Sequence, residues 1–177
     1  MEWQRDLYLA QNRISRELRR QERYDEAFAA SLEEFAVLDA LQEKGRDNPQ
    51  WREDLDRSVA GLGSLSYEFL LAQHFAKALE AADGAIAHDP DILWFHTNRA
   101  HALMMLGRED EARTLYLKYR GVNDAHSGSS WNDLVVADFA EMREAGIDHP
   151  LMREVESVLK QTHEPVPDAA QAKQTAP

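Results

Sequence analysis

The chain has 177 residues, no cysteine and a formal net charge of −12. That length bounds it to one domain with a tail, and the missing cysteines exclude disulfides and thiol chemistry. The acidic balance argues against nonspecific nucleic-acid binding, which needs Lys and Arg to neutralise phosphates.

Ala, Leu, Glu and Arg dominate, while Gly, Pro, Val, Ile and Thr are sparse. These are good helix formers, so the expectation is an all-α protein with no sheet. The opening MEWQRDLYLA lacks the basic start and apolar run of a signal peptide. No apolar stretch approaches the ~18 residues of a membrane span. The expectation is a cytoplasmic protein.

In chain order, residues 3–20 read as a first helix, with Leu7, Ile14 and Leu18 as its apolar stripe. Through residue 24 there are six Arg against four acids, so this segment is basic in an acidic chain. Its Arg run reads either as a solvated helix face or as a basic strip facing an acidic partner. After a tight turn a second helix runs to Lys44, with Phe28, Leu32, Phe35, Leu38 and Leu41 at helical spacing and Gly45 as its C-cap. Asn48-Pro49 is a helix restart, Asn as N-cap and Pro in the first turn. Trp51-Arg52-Glu53-Asp54-Leu55 then echoes Trp3-Gln4-Arg5-Asp6-Leu7.

The stretch Ser64–Gly121 holds two helical hairpins in tandem. Their small residues Ala78 and Ala112 lie 112 − 78 = 34 positions apart, a helix-turn-helix period. Asp89-Pro90-Asp91 is expected to end one hairpin and cap the next helix. Gly107 and Gly121 act as breakers. A polar Gly/Ser loop follows. Ser130 with Asp133 then forms a capping box for a helix carrying Leu134, Val135, Phe139 and Met142. Gly146 closes that helix, and Pro150 opens a last one with Leu151, Val155, Val158 and Leu159. From residue 162 the chain has no apolar period and reads as a disordered tail.

Leu65, Ser66, Phe69, Phe75, Ala78, Ala82, Ala85 and Pro90 resemble one tetratricopeptide repeat. Ala100, Leu103, Gly107, Ala112 and Tyr116 resemble the next, and Ile14, Ser15, Leu18, Tyr24 and Ala27 an earlier one. The resemblance covers about residues 3–121 and implies a right-handed α-solenoid of about three hairpins. The implied organisation is repeats over 1–121, C-terminal capping helices over 122–161 and the tail over 162–177.

By the same resemblance, the first helix of each repeat lines a concave groove that binds a peptide or helix of a partner protein. The residues implied for that groove are Asn12, Arg16, Arg19 and Arg20, then Tyr67 and Leu70, then Trp94, Asn98 and His101. Gly63, Thr97 and Met104 are implied to line it with them. Trp94 stands where a clamp for a C-terminal carboxylate would need a base, so that specialised function is not expected. An Arg-lined groove would suit an acidic partner. The alternative is a self-association module or a regulatory repeat domain of a larger assembly.

No catalytic, cofactor or metal constellation emerges. The seven His include no His-Glu-x-x-His. His96 and His101 are five apart and so point about 140° apart on a helix. Gly61-Leu62-Gly63 follows no strand and is too short for a phosphate loop. The chain is read as a non-enzyme.

Overall fold

The computed structural model describes residues 2–44, 48–123 and 128–160. Gly45 and the segment from 162 onward lie outside them. The described residues form eight α-helices: α1 Glu2–Arg20, α2 Tyr24–Lys44, α3 Pro49–Leu71, α4 Phe75–His88, α5 Leu93–Met105, α6 Glu109–Lys118, α7 Trp131–Glu144 and α8 Pro150–Lys160. Each of the first six packs on its neighbour in the chain, as α7 does on α8. α3 also packs on α5, α5 on α7 and α6 on α8. None of the helices is long and apolar enough to cross a membrane, among the described residues.

Local chemistry sets the boundaries. Asn48 Oδ1 accepts from the backbone N–H of Gln50 at 3.0 Å and of Trp51 at 3.4 Å, with Pro49 in the first turn. Ser130 Oγ accepts from the Asp133 N–H at 3.1 Å. Asp91 does not cap α5 as expected. Its N–H bonds back to Asp89 Oδ1 at 3.2 Å, and the N-cap is Ile92, with no side-chain bond.

Four turns share one construction. Glu22, Gln73, Gly107 and Gly146 have φ of 56°, 62°, 75° and 78°. The next N–H bonds five residues back each time: Arg23 to Leu18 O, His74 to Phe69 O, Arg108 to Leu103 O and Ile147 to Met142 O. This is the Schellman closure of a helix. The turns are spaced 73 − 22 = 51, 107 − 73 = 34 and 146 − 107 = 39 residues apart. The α7–α8 pair, expected as a cap, is therefore a fourth hairpin on the same turn.

Small residues let the paired helices cross closely. Ser15 Oγ donates to Ala27 O at 3.2 Å, and Ser66 Oγ donates to Ala78 O at 2.7 Å. Ala100 and Ala112 hold the same two positions in the third hairpin, both without exposed surface. In the fourth these positions are Phe139 and Leu151, also buried.

The first helix departs from its sequence pattern. Leu7 and Ile14 are 41% and 48% exposed, and the buried face carries Tyr8 and Ser15 instead. Leu32 of α2 is exposed as well. The buried polar groups there have partners, which makes their burial tolerable. Ser15 and Ser31 share a 2.7 Å hydroxyl bond, and Asn12 Nδ2 donates to the buried Glu34 at 3.0 Å.

Candidate protein-interaction cleft

The odd-numbered helices all contribute side chains to a common cleft. Ser64, Tyr67 and Glu68 on α3 are spaced i, i+3, i+4, as are Trp94, Thr97 and Asn98 on α5. Residues at that spacing share one helix face. Leu134 and Asp138 on α7 and Arg19 on α1 complete the lining, and the cavity holds about 440 Å³. That is within the size range of small-ligand pockets. It takes a few side chains and not a whole helix, whose diameter is about 10–12 Å.

Gly63 sets the depth of the cleft. A side-chain carbon at that position would lie 2.2 Å from the Phe95 ring and 2.6 Å from Trp94. Only glycine lets α3 and α5 approach this closely. The approach is fastened by Asn98 Nδ2, which donates to Gly63 O at 2.9 Å. Trp94 packs edge-on against Phe95, with ring centroids 4.3 Å apart, and is left half-buried at the cleft wall.

Charges are arranged across the mouth. Arg19 forks onto Glu68, with Nε to Oε2 at 2.8 Å and Nη2 to Oε1. Planar two-point pairing of this kind fixes both side chains. Arg16 and Arg20 are exposed beside it, and with Arg19 and Glu68 they line an adjoining hollow of about 330 Å³. On the opposite side, Tyr67 Oη donates to Glu141 Oε2 at 2.9 Å, tying α3 to α7. Burial first, then the nearby Asp138 and the bond to Glu141, push the Tyr67 phenol up. It stays a neutral donor at physiological pH.

Beneath Asp138 runs a buried polar chain. The His101 Nε2–Asp138 Oδ2 distance is 3.1 Å, and the His101 Nδ1–Tyr116 Oη distance is 2.7 Å. Burial pushes the Tyr116 phenol well up, with Asp138 adding to it. A carboxylate, an imidazole and a hydroxyl in line resemble a proton relay. Here the hydroxyl end has no exposed surface, so the chain fixes α5, α6 and α7 together and leaves only Asp138 facing the cleft. Among the described residues, no group of three or more His, Asp or Glu side chains could hold a metal ion.

Of the residues implied by sequence, Arg19, Tyr67, Trp94 and Asn98 meet in the cleft, with Arg16 and Arg20 at its basic edge. Asn98 is almost fully buried there, its amide committed to Gly63. Asn12 turns instead into the first hairpin, onto Glu34. Leu70 and His101 have no exposed surface and belong to the core, as does Met104. Leu70 and His101 follow the lining residues Tyr67 and Asn98 by three positions.

The structure adds Ser64, Glu68, Leu134 and Asp138 to the lining. The α7 pair falls outside the sequence expectation, in which that helix is a C-terminal cap. The left-handed glycine at 146 is the signal that gives this pair the same turn as the other three. No protein-family model matches the chain, and no curated protein and no solved structure matches it.

Proposed function

We propose that the chain is a non-catalytic, tetratricopeptide-like scaffold. In this reading its four hairpins stack as a curved solenoid and hold a partner peptide on the inner face. The observation that carries it is the single cleft to which α1, α3, α5 and α7 all contribute, with half-buried Trp94 and Tyr67 beside Arg19. Aromatic and Arg side chains in a concave site are the types that dominate binding energy. The cavity suits an apolar anchor of the partner between Tyr67, Trp94 and Leu134. The exposed guanidiniums of Arg16 and Arg20 suit acidic residues flanking that anchor.

The test is a panel of synthetic peptides with a Leu, Phe or Trp anchor flanked by acidic, neutral or basic residues. Binding is read by amide chemical shifts. The expected result is perturbation concentrated at residues 16–20, 64–68, 94–98 and 134–138, strongest for acidic flanks. Trp94→Ala should weaken binding by about 2 kcal/mol, roughly 30-fold. Shifts confined to another face, or binding that Trp94→Ala leaves unchanged, would overturn the reading.

A further inference from the structure

We infer that the chain assembles head to tail with further copies of itself, α1 of one copy seating on the outer face of α7 of the next. This surface is separate from the cleft. The inference starts from the four equivalent turns, which put the helices in register. Gly63 and Tyr67 on α3 precede their turn residue by ten and six positions, as Thr97 and His101 do on α5 and Val136 and Ala140 on α7.

In the first two cases the next odd-numbered helix covers that face. Phe95 and Trp94 of α5 close on Gly63, and Asp138 of α7 bonds to His101. On α7 no helix among the described residues covers the same face. Val136, Ala137 and Ala140, with Leu159 of α8, line an apolar groove of about 470 Å³.

The opposite end carries a matching surface. Ile14 precedes its turn by eight positions, as Leu65 does, and Leu7 precedes its turn by fifteen, as Trp131 does. Leu65 and Trp131 have no exposed surface, whereas Ile14 and Leu7 are 48% and 41% exposed. Thus α1 exposes two apolar side chains at positions where Leu65 and Trp131 are buried, and α7 and α8 offer an apolar groove of the kind such residues fill.

Charge favours this pairing over others. Residues 1–24 hold six Arg against four acids, while residues 128–160 hold seven acids against three bases. Unlike ends attract and like ends repel. Two different patches meeting head to tail generate a ring or an open series, not a two-fold pair.

The experiment is sedimentation velocity on the full-length chain. Wild-type protein should grow in mass with concentration, and 0.5 M salt should weaken that growth by screening the charged ends. A variant blocked at one end, Leu7→Glu with Ile14→Glu, should be monomeric. So should a variant blocked at the other, Ala137→Glu with Ala140→Glu. All four positions are exposed, so the fold should persist, as far-UV circular dichroism will show. If the charged pair unsettles α1, Ile14→Gln alone serves as the first block.

Mixing the two blocked variants should give a one-to-one dimer, twice the monomer mass, that grows no further. A wild-type monomer at every concentration would overturn the inference and would mean that the groove stays empty or that the chain's own last residues cover it. A blocked variant that still pairs with itself would overturn it in favour of a two-fold contact. Neither outcome touches the cleft, whose peptide binding is read independently.

Discussion

The two ends of the molecule are held together differently. Around α5 to α8 the core is apolar and continuous: Leu103, Met104, Tyr116, Trp131, Phe139, Met142 and Leu151 pack in one cluster. Where α1 packs on the far half of α2 and the start of α3, the buried apolar cluster among the described residues holds only Tyr8 and Leu38, while Ala27 and Phe28 of α2 join the core of α3 and α4. Ser15, Ser31, Glu34, Asp54 and Ser58 are buried beside it. Apolar burial contributes about 25 cal/mol per Å² with no geometric condition. A buried hydrogen bond nets only about 1 kcal/mol, and only while its partner stays in place. The same helical plan is thus anchored at one end by contact area and at the other by matched polar pairs.

Trp131→Ala attacks the anchored end and should have the largest effect. The indole is fully buried, stacks near Tyr119 with centroids 5.0 Å apart, and donates Nε1–H to Tyr116 O at 3.1 Å. Truncation of such a residue costs about 3–5 kcal/mol, which urea denaturation would register as a lower midpoint. A loss under about 1 kcal/mol would show that the C-terminal core closes over the gap, and the contrast between the ends would fail.

The polar end can be probed through Glu34. The residue is 3% exposed. Burial pushes its pKa above the ordinary 4.5, against the lowering pull of bonds from Asn12 and Ser58. The folded protein therefore holds this proton more tightly than the unfolded chain does. Its contribution to stability is full below about pH 4.5 and is lost as pH rises through the raised folded value. Glu34→Gln keeps an acceptor for Asn12 without a charge to desolvate. The variant should match wild type near pH 4 and exceed it in melting temperature at pH 7. Parallel pH profiles for the two proteins would show that the carboxylate is adequately solvated and the polar end no weaker for holding it.

Most helix boundaries were legible because they rest on local chemistry, as at Asn48-Pro49, Ser130 and Gly107. The facing of α1 was not. An apolar period singles out Leu7, Ile14 and Leu18, yet the helix buries Tyr8 and Ser15, whose partners lie on α2 and α3. Polar burial depends on a neighbour that no single-helix period contains. The cleft was legible in part for a related reason. Turn register brings Arg19, Tyr67 and Trp94 to one cavity. One further step around the helix puts Leu70 and His101 in the core, and only the packing of the next hairpin decides between those faces.

The smallest expected effects concern the four shared turns, where the two ends also differ. The third and fourth use glycine in the left-handed conformation, while the first and second use Glu22 and Gln73. A side chain there costs about 1–2 kcal/mol, offset in part by the ~0.5–1 kcal/mol of extra unfolded-state freedom that glycine carries. Gln73→Gly should therefore gain about 0.5–1 kcal/mol, the difference of those two effects. Gly107→Ala should lose a similar amount. A Cβ at 107 would meet nothing within 4 Å, so that loss would come from backbone conformation alone. Denaturant midpoints moving oppositely by similar amounts would establish the two turns as one energetic unit in different sequence. A destabilised Gln73→Gly would mean instead that the exposed Gln73 side chain helps to hold its turn. The N-terminal hairpins would then depend on side-chain chemistry even where the C-terminal ones depend only on backbone.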